Sequence, residues 1–345
     1  MRKLLLLSIF MAAMCALPAL SADATAYQIR ELRMAPGTAG IGCTGWVNGA
    51  GGPRLAGTVY DSGAPHAAVS DTHGDMVLLD EGFALGINSS GLAVGYADGA
   101  ALWDAAGNLT HLLLPSNTWF SQANAINSSG QIVGECAVGT STVLDYIMLW
   151  NGGGQPVNLG EGCGIAINSN GSVAGYTQDS NGARHAFVWT SAGGISPLAG
   201  GLMSEANSLN DLGQAAGIIC DSTGGWAGVW NADGTSRLLP NLPGSVGSTA
   251  WAINNTGTVV GCCDTAQSTY AVLWQADGTL INLGLLPGHV SGIAYTLSDS
   301  GLIAGCSVDA NGMPHAVVWS AVPEPGSVLA LIAGLLGLLP RLRKR

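Results

Sequence analysis

Residues 249–283 read TAWAINNTGTVVGCCDTAQSTYAVLWQADGTLINL, and this stretch decides the fold. It contains four short apolar runs, at 249–253, 258–262, 270–274 and 280–283, with turn residues at 254–257 and 276–278. Short strand-forming runs bounded by Asn, Asp and Gly are typical of antiparallel strands joined by hairpins. The stretch therefore predicts one four-stranded sheet, with the asparagine and the glycine of the first turn both at positive φ.

The first turn of this unit recurs along the chain as an Asn-x-x-Gly element. Intact copies begin at Asn88, Asn127, Asn168, Asn210 and Asn254, and weaker copies begin at Asn48 and Ser298. Successive copies are 39 to 44 residues apart, which is the length of a β-propeller blade. Seven such units fill residues 27–321. The sequence therefore predicts an all-β fold, a seven-bladed β-propeller of four-stranded blades.

The two ends of the repeat region complement each other. The seventh unit stops after its third strand, at residues 317–319, whereas residues 27–32 (YQIREL) have the pattern of a fourth strand without a unit before them. We expect this N-terminal strand to complete the last blade. Such sharing pairs two otherwise exposed sheet edges and requires a closed ring, which favours a propeller over an open β-solenoid.

Two further positions recur in the units. A glycine lies inside the second strand, at 95, 134, 175, 217, 261 and 305, and predicts a close approach of another backbone, which we expect to come from the adjacent blade. A tryptophan ends the third strand, at 103, 150, 189, 230, 274 and 319. An aromatic residue at a fixed repeat position indicates packing between blades.

Both termini carry features of exported proteins. Arg2 and Lys3 precede an apolar run over 4–20 and small-residue cleavage sites, which predicts a signal peptide over 1–26. After the propeller domain, 27–321, the segment 322–345 contains Val322, Pro323, Glu324 and Pro325, an apolar stretch over 326–339 and a basic tip. It predicts a short hydrophobic helix with transient membrane contact. The expected location is the cell surface or the extracellular matrix.

The C-terminal segment resembles the PEP-CTERM sorting signal in its Pro-Glu-Pro motif, apolar stretch and basic tip. The resemblance implies recognition by an exosortase-type sorting enzyme in bacteria that make exopolysaccharide. The repeats resemble extracellular HAF repeats, with an intact His-Ala-Phe at 185–187 and partial copies at 66–68 and 315–317. That resemblance implies a secreted repeat protein and supplies no assigned chemistry.

The charge of residues 27–321 narrows the class of partner. This region contains five arginines, no lysine and twenty acidic residues, a net charge of −15. Such a surface repels phosphate backbones and anionic lipid, so nucleic acid is not an expected partner. Exopolysaccharide and surface proteins are the candidate partners, and the sequence indicates no cofactor.

No group of residues in the sequence identifies a catalytic activity, so we favour a non-enzymatic structural or binding component. The alternative is a secreted carbohydrate-active lyase or hydrolase that uses Glu81, Glu161 and Glu205, carboxylates expected around the channel mouth. Trp119 and Phe120 lie outside the repeat register and are candidates for stacking on sugar rings. His66, His185 and His315 share one register without other ligands at metal-binding spacing, so no metal site is predicted.

The cysteines left after export suggest two disulfides. An exported protein enters an oxidising compartment, where disulfides form and persist. Positions relative to the repeat place Cys136 beside Cys163, between blades three and four, and Cys43 beside Cys306, across the closure. We expect these two pairs to join neighbouring blades.

Overall fold

A computed structural model describes residues 27–35, 45–61, 63–71, 73–139, 144–152 and 155–322. The regular secondary structure in these ranges consists of β-strands. The part of the chain that the structure describes contains no helix that is long and apolar enough to cross a membrane. The predicted signal peptide and the predicted apolar segment at 326–339 lie outside the described residues, as do Pro323, Glu324 and Pro325 of the predicted sorting motif.

The strands form seven four-stranded sheets, one for each predicted blade. The chain begins with β1 (Tyr27–Glu31). Blade 1 contains β2 (Gly45–Gly51), β3 (Arg54–Asp61), β4 (Ala64–Ser70) and β5 (Met76–Glu81). Blade 2 contains β6 (Phe83–Ile87), β7 (Ala93–Tyr96), β8 (Ala100–Trp103) and β9 (Leu109–His111). Blade 3 contains β10 (Thr118–Ile126), β11 (Gln131–Val138), β12 (Leu144–Asn151) and β13 (Val157–Glu161).

The second half of the chain repeats this arrangement. Blade 4 contains β14 (Cys163–Ile167), β15 (Val173–Gln178), β16 (Arg184–Thr190) and β17 (Gly194–Pro197). Blade 5 contains β18 (Met203–Leu209), β19 (Ala215–Asp221), β20 (Gly224–Trp230) and β21 (Ser236–Leu238). Blade 6 contains β22 (Ser245–Ile253), β23 (Val259–Thr265), β24 (Thr269–Trp274) and β25 (Leu280–Asn282). Blade 7 contains β26 (Ser291–Leu297), β27 (Ile303–Val308) and β28 (Pro314–Ala321).

The N-terminal strand completes blade 7, as predicted. β1 lies beside β28, and the backbone N–H of Leu32 donates to the carbonyl of Ala316 at 2.9 Å. The carboxylate of Glu31 lies 2.8 Å from Nδ1 of His315. The first strand of blade 7, β26, also contacts the first strand of blade 1, β2. The seven-bladed ring is therefore closed.

The tryptophans that end the third strands pack between blades, as predicted. Five of the six are fully buried, with at most 1% of their surface exposed, and Trp189 is half-buried. The indole N–H groups of three of them donate to carbonyls in the linker from the preceding blade, at 2.6–2.7 Å: Trp150 to Leu113, Trp230 to Ala199 and Trp274 to Pro240. Each indole thus satisfies its polar atom while it fills the space between two sheets.

The glycines of the second strands face a close backbone, but that backbone belongs to their own blade and not to the adjacent one. A Cβ atom on Gly134 would lie 2.0 Å from the carbonyl oxygen of Gln122 on β10. The cause is a β-bulge: Ala123 pairs with Gly134 and Ala125 pairs with Val133, so Asn124 is an extra residue. Corresponding register shifts occur in the first strands of the other six blades.

The asparagines of the first turns in blades 2 to 6 have a different role from the predicted one. In the described residues only the glycine of the turn has positive φ, for example Gly171 at +77°. The side chain of Asn168 instead accepts from the N–H groups of Asn170 and Ser172, at 3.1 and 2.9 Å. Its amide nitrogen donates 3.0 Å to the carbonyl of Asn210 in the next blade. The same donated bond connects 88 to 127, 127 to 168, 210 to 254 and 254 to 298.

The predicted disulfide between Cys136 and Cys163 is not formed. Both residues are buried free thiols, and burial raises the pKa of the Cys136 thiol to about 12. Cys136 packs with Ala123 and Trp150 against blade 2, whereas Cys163 contacts Glu135, the neighbour of Cys136 on β11. Successive side chains of a strand point to opposite faces, so the two thiols lie on opposite sides of blade 3. Cys43, of the second predicted pair, lies outside the described residues.

Candidate functional site

Four aromatic side chains form a continuous series where blades 2 and 3 meet. The ring centroids of Phe83 and Tyr96 are 6.4 Å apart, those of Tyr96 and Phe120 are 6.0 Å apart, and those of Phe120 and Trp119 are 6.2 Å apart. Tyr96 and Phe120 are stacked with an interplanar angle of 23°. Trp119 has 63% of its surface exposed. We call these four residues the aromatic groove.

Two adjoining cavities open along the aromatic groove. The larger, of about 430 Å³, is lined by Phe83 and Tyr96 together with polar side chains: Asp80, Glu81, Asp98 and His111. The smaller, of about 140 Å³, is lined by Tyr96, Asp98, Leu114, Trp119 and Phe120 among others. Tyr96 and Asp98 line both, so the groove combines aromatic faces with carboxylates. Among the residues that the structure describes, no lysine or arginine lines either cavity.

The loops around the groove hold strained backbone. Asp98 and Asn117, with φ of +53° and +62°, are the non-glycine residues with positive φ in the described ranges. Asp98 lies at the tip of the tight turn between β7 and β8, where Ala97 N–H donates to Gly99 at 2.9 Å. Asn117 directly precedes Thr118, which lines the smaller cavity and donates to Pro115 at 2.7 Å. Left-handed backbone outside glycine is costly and concentrates at ligand-binding sites.

The three predicted glutamates do not form one carboxylate ring. Glu81 ends β5 and lines the larger cavity of the groove. Glu161 ends β13, exposed and opposite Tyr146. Glu205 lies within β18, half-buried, and its carboxylate is 2.7 Å from the guanidinium of Arg184. Glu205 is therefore held in an ion pair between blades 4 and 5, and only Glu81 joins the predicted aromatic pair, Trp119 and Phe120.

A second polar group, which the sequence did not indicate, lies between blades 3 and 4. Burial raises the pKa of Glu135, and a hydrogen bond with the Cys163 thiol and the charge of Arg184 oppose that shift. The guanidinium of Arg184 lies 4.4 Å from the ring centroid of Tyr176 and pairs with Glu205. The network thus leads from a half-buried carboxyl on the side of blade 3 that faces blade 4 to an ion pair with blade 5.

The histidines that share one repeat register take part in local pairs. His185 lies 3.3 Å from the carboxylate of Asp179, and His315 contacts Glu31 at the ring closure. His66 pairs across the sheet with Glu81. Within the described residues, no three His, Cys, Asp or Glu side chains are placed to hold a metal ion.

No family model and no curated protein sequence matches this chain. Several solved structures do match it. A virginiamycin B lyase from Staphylococcus aureus has a TM-score of 0.55 at 10% identity, over 86% of this chain and all of that one. An oligogalacturonate lyase from Vibrio parahaemolyticus has a TM-score of 0.56 at 10% identity, over 87% of this chain and 98% of that one. This chain shares their fold.

The propeller also matches part of a larger enzyme. An acylaminoacyl peptidase from Pyrococcus horikoshii has a TM-score of 0.52 at 11% identity, over 83% of this chain and 53% of that one. Enzymes of different chemistry thus have this architecture. At such identities the likeness shows the fold alone, because propellers carry unrelated sites on similar blades. The function has to be argued from the residues of this chain.

Proposed function

We propose that this protein is a non-catalytic carbohydrate-binding propeller that acts outside the cell, at the cell surface or in an exopolysaccharide matrix. The observation that carries the proposal is the aromatic groove. Its rings form a series that starts at the half-buried Phe83 and ends at the exposed Trp119. Aromatic faces bind the C–H faces of sugar rings, and nearby carboxylates accept hydrogen bonds from sugar hydroxyls.

The charge of the groove defines the class of polysaccharide. Asp80, Glu81 and Asp98 line its cavities, and the described lining contains no lysine or arginine, in a domain whose net charge is −15. A polyuronate or a sulfated polymer would be repelled there. The expected ligand is therefore a neutral glycan. It differs in charge from oligogalacturonate, the polyanion in the name of one of the similar lyases.

Export and sorting are part of the proposal. The predicted signal peptide over 1–26 and the PEP-CTERM resemblance of 322–345 support a route to the cell surface through an exosortase-type enzyme. The C-terminal apolar stretch would then contact the membrane only during sorting. A body that binds neutral exopolysaccharide would be retained in the matrix after release.

The test is retention of the domain 27–321 on neutral polysaccharides, measured by affinity electrophoresis. We expect the variants Trp119→Ala and Phe120→Ala to lose at least about tenfold in affinity, because each removes a stacking surface. Leu202→Ala is the matched control, since Leu202 is 68% exposed and lies away from the groove. Equal retention of all three variants would contradict the proposal.

A second candidate is the secreted lyase or hydrolase. The observation that favours it is the placement of Asp80, Glu81, Asp98 and His111 around one cavity beside the aromatic groove, since paired carboxylates can act as acid and base. Product release from the same polysaccharides separates the candidates. An enzyme would lose turnover in Glu81→Gln and keep it in Glu161→Gln, whereas a binding protein would release no product at all.

A further inference from the structure

A third cavity, distinct from the aromatic groove, lies on the axis of the propeller. Its volume is about 430 Å³, within the range of small-molecule sites. Residues from six blades line it: Leu85, Gln122, Asn124, Glu135, Cys163, Ile165, Asn207, Trp251 and Tyr295. None of them lines the cavities of the groove. We call this space the axial cavity.

The repeated bulge explains why side chains converge on the axial cavity. The extra residue of each bulge lies on the first strand of its blade, and in blades 2 to 7 that residue lines the cavity. The six residues are Leu85, Asn124, Ile165, Asn207, Trp251 and Tyr295. Positions that only pack blades together repeat one residue type, as the tryptophans do. These six positions instead combine apolar, amide and aromatic side chains.

The walls of the axial cavity offer both apolar faces and hydrogen-bonding groups. Trp251 and Tyr295 form an edge-to-face pair with ring centroids 5.5 Å apart. The indole nitrogen of Trp251 is buried without a hydrogen-bond partner that meets normal geometry, and its polar neighbour is the thiol of Cys262, a weak acceptor. The N–H group is closed off from the cavity, so the indole offers a ligand its ring surface and not its nitrogen.

Amide groups and one carboxyl supply the remaining polar contacts. Asn124 donates 2.8 Å to the carbonyl of Gly164 and accepts from Gln122 at 2.7 Å, which fixes its orientation. Asn207 donates 3.0 Å to the carbonyl of Ala250, a bond that orients its amide oxygen as well. Within the described part of the chain, Glu135 is the acidic residue of the lining and no basic side chain contributes to it.

We propose that the axial cavity binds one neutral sugar residue. Trp251, Tyr295 and Ile165 would contact its C–H faces, while Asn207 and Glu135 would bind its hydroxyls. The carboxyl of Glu135 disfavours anionic sugars, since no lysine or arginine among the described residues lines the cavity. This site is independent of the aromatic groove, so the two proposals can fail separately.

The test is titration calorimetry of the full domain 27–321 with glucose, galactose, mannose and N-acetylglucosamine, and with galacturonate as the anion. We expect one neutral sugar to bind with a stoichiometry of one and galacturonate not to bind. Ile165→Trp fills the cavity without removing a hydrogen bond and should weaken binding at least tenfold. Leu85→Trp fills the cavity from blade 2 and serves as a second variant if the first one fails to fold. Trp119→Ala should leave this binding unchanged.

Three outcomes would overturn the proposal. They are the absence of binding for all four neutral sugars at millimolar concentration, binding of galacturonate alone, and full binding by a folded Ile165→Trp variant. If Trp119→Ala abolishes monosaccharide binding while Ile165→Trp retains it, the sugar occupies the aromatic groove and the axial assignment is wrong. Loss of polysaccharide retention in Trp119→Ala with unchanged monosaccharide binding would support both proposals.

Discussion

One asparagine side chain in each of blades 2 to 6 connects local and global structure in this propeller. Its oxygen accepts two backbone N–H groups of its own hairpin, as Asn168 does with Asn170 and Ser172. Its nitrogen reaches the carbonyl of the corresponding residue in the next blade. The side chain is buried, so both ends of the amide need partners. A turn residue thus also determines how adjacent blades align.

This double role predicts the effect of Asn168→Asp. The carboxylate retains the two accepted bonds but cannot donate to Asn210, and it places a negative charge against a carbonyl oxygen. We expect a loss of about 1–3 kcal/mol in the free energy of unfolding, the usual cost of an unpaired buried polar group. Urea denaturation measures it. The control is Asn158→Asp, an exposed residue whose oxygen accepts from Gly160 at 2.8 Å, with an expected change within about 0.5 kcal/mol.

The half-buried carboxyl of Glu135 predicts a pH dependence. Burial raises its pKa in the folded protein, so the folded state holds a proton that the unfolded state releases. The carboxyl of Glu135 therefore does not destabilise the fold at a pH below its pKa in the unfolded chain. It destabilises the fold fully at a pH above its pKa in the folded protein. Glu135→Gln should stabilise the domain more at pH 7 than at pH 3.5, measured as the difference in unfolding free energy from the wild type. A difference that stays constant with pH would contradict the assignment, and Glu161→Gln provides the exposed control.

The bulged hairpin of the first two strands is the element that shapes the channel. It inserts an extra residue into the innermost strand, and the glycine opposite leaves room for the carbonyl that the bulge turns toward it. The sequence predicted that a backbone approaches this glycine closely, but that backbone was assigned to the wrong blade. A simple alternation of apolar and polar residues does not indicate a bulge. Glu205 was misplaced for a different reason, because β18 begins at Met203 and Glu205 therefore lies within the strand and not in the loop before it.

A strict requirement for glycine follows at the bulge. Gly134→Ala would place its Cβ 2.0 Å from the carbonyl oxygen of Gln122, a contact that only a backbone shift can relieve. We expect a loss of at least about 1–3 kcal/mol, as for other overpacked sites. The matched control is Gly247→Ala on β22, where the nearest atom would lie 3.4 Å away. Thermal unfolding of the two variants compares them, and equal midpoints would show that the bulge is adaptable.

The overall ring was predictable because its signals are local and repeated. Strand alternation, turn residues and a missing fourth strand in the last unit can all be read from neighbouring positions, and β1 completes blade 7 as those signals indicate.

The sequence identified only part of the functional surfaces. Trp119 and Phe120 were identified by leaving the repeat register, whereas Tyr96 and Phe83 meet them only after two blades pack. The axial cavity requires side chains from six blades and has no signal in any single unit.

The closure predicts how the whole domain responds to loss of its first strand. Without β1, the edge of β28 is exposed, and the contacts of Leu32 with Ala316 and of Glu31 with His315 are lost. Unpaired strand edges promote association between chains. A chain that starts at residue 36 should therefore unfold at a lower urea concentration than the domain 27–321 and should aggregate as its concentration rises, which light scattering follows.

The same closure predicts rescue by a separate peptide. A synthetic peptide of residues 27–35, YQIRELRMA, should add to the edge of β28 and restore the unfolding midpoint in proportion to its concentration, because strand addition regains the backbone hydrogen bonds of the missing edge. A scrambled peptide of the same composition is the control. Rescue by both peptides would indicate nonspecific covering of an apolar surface. A truncated chain as stable as the full domain would mean that three strands suffice for blade 7, and that the packing of β26 against β2 closes the ring alone.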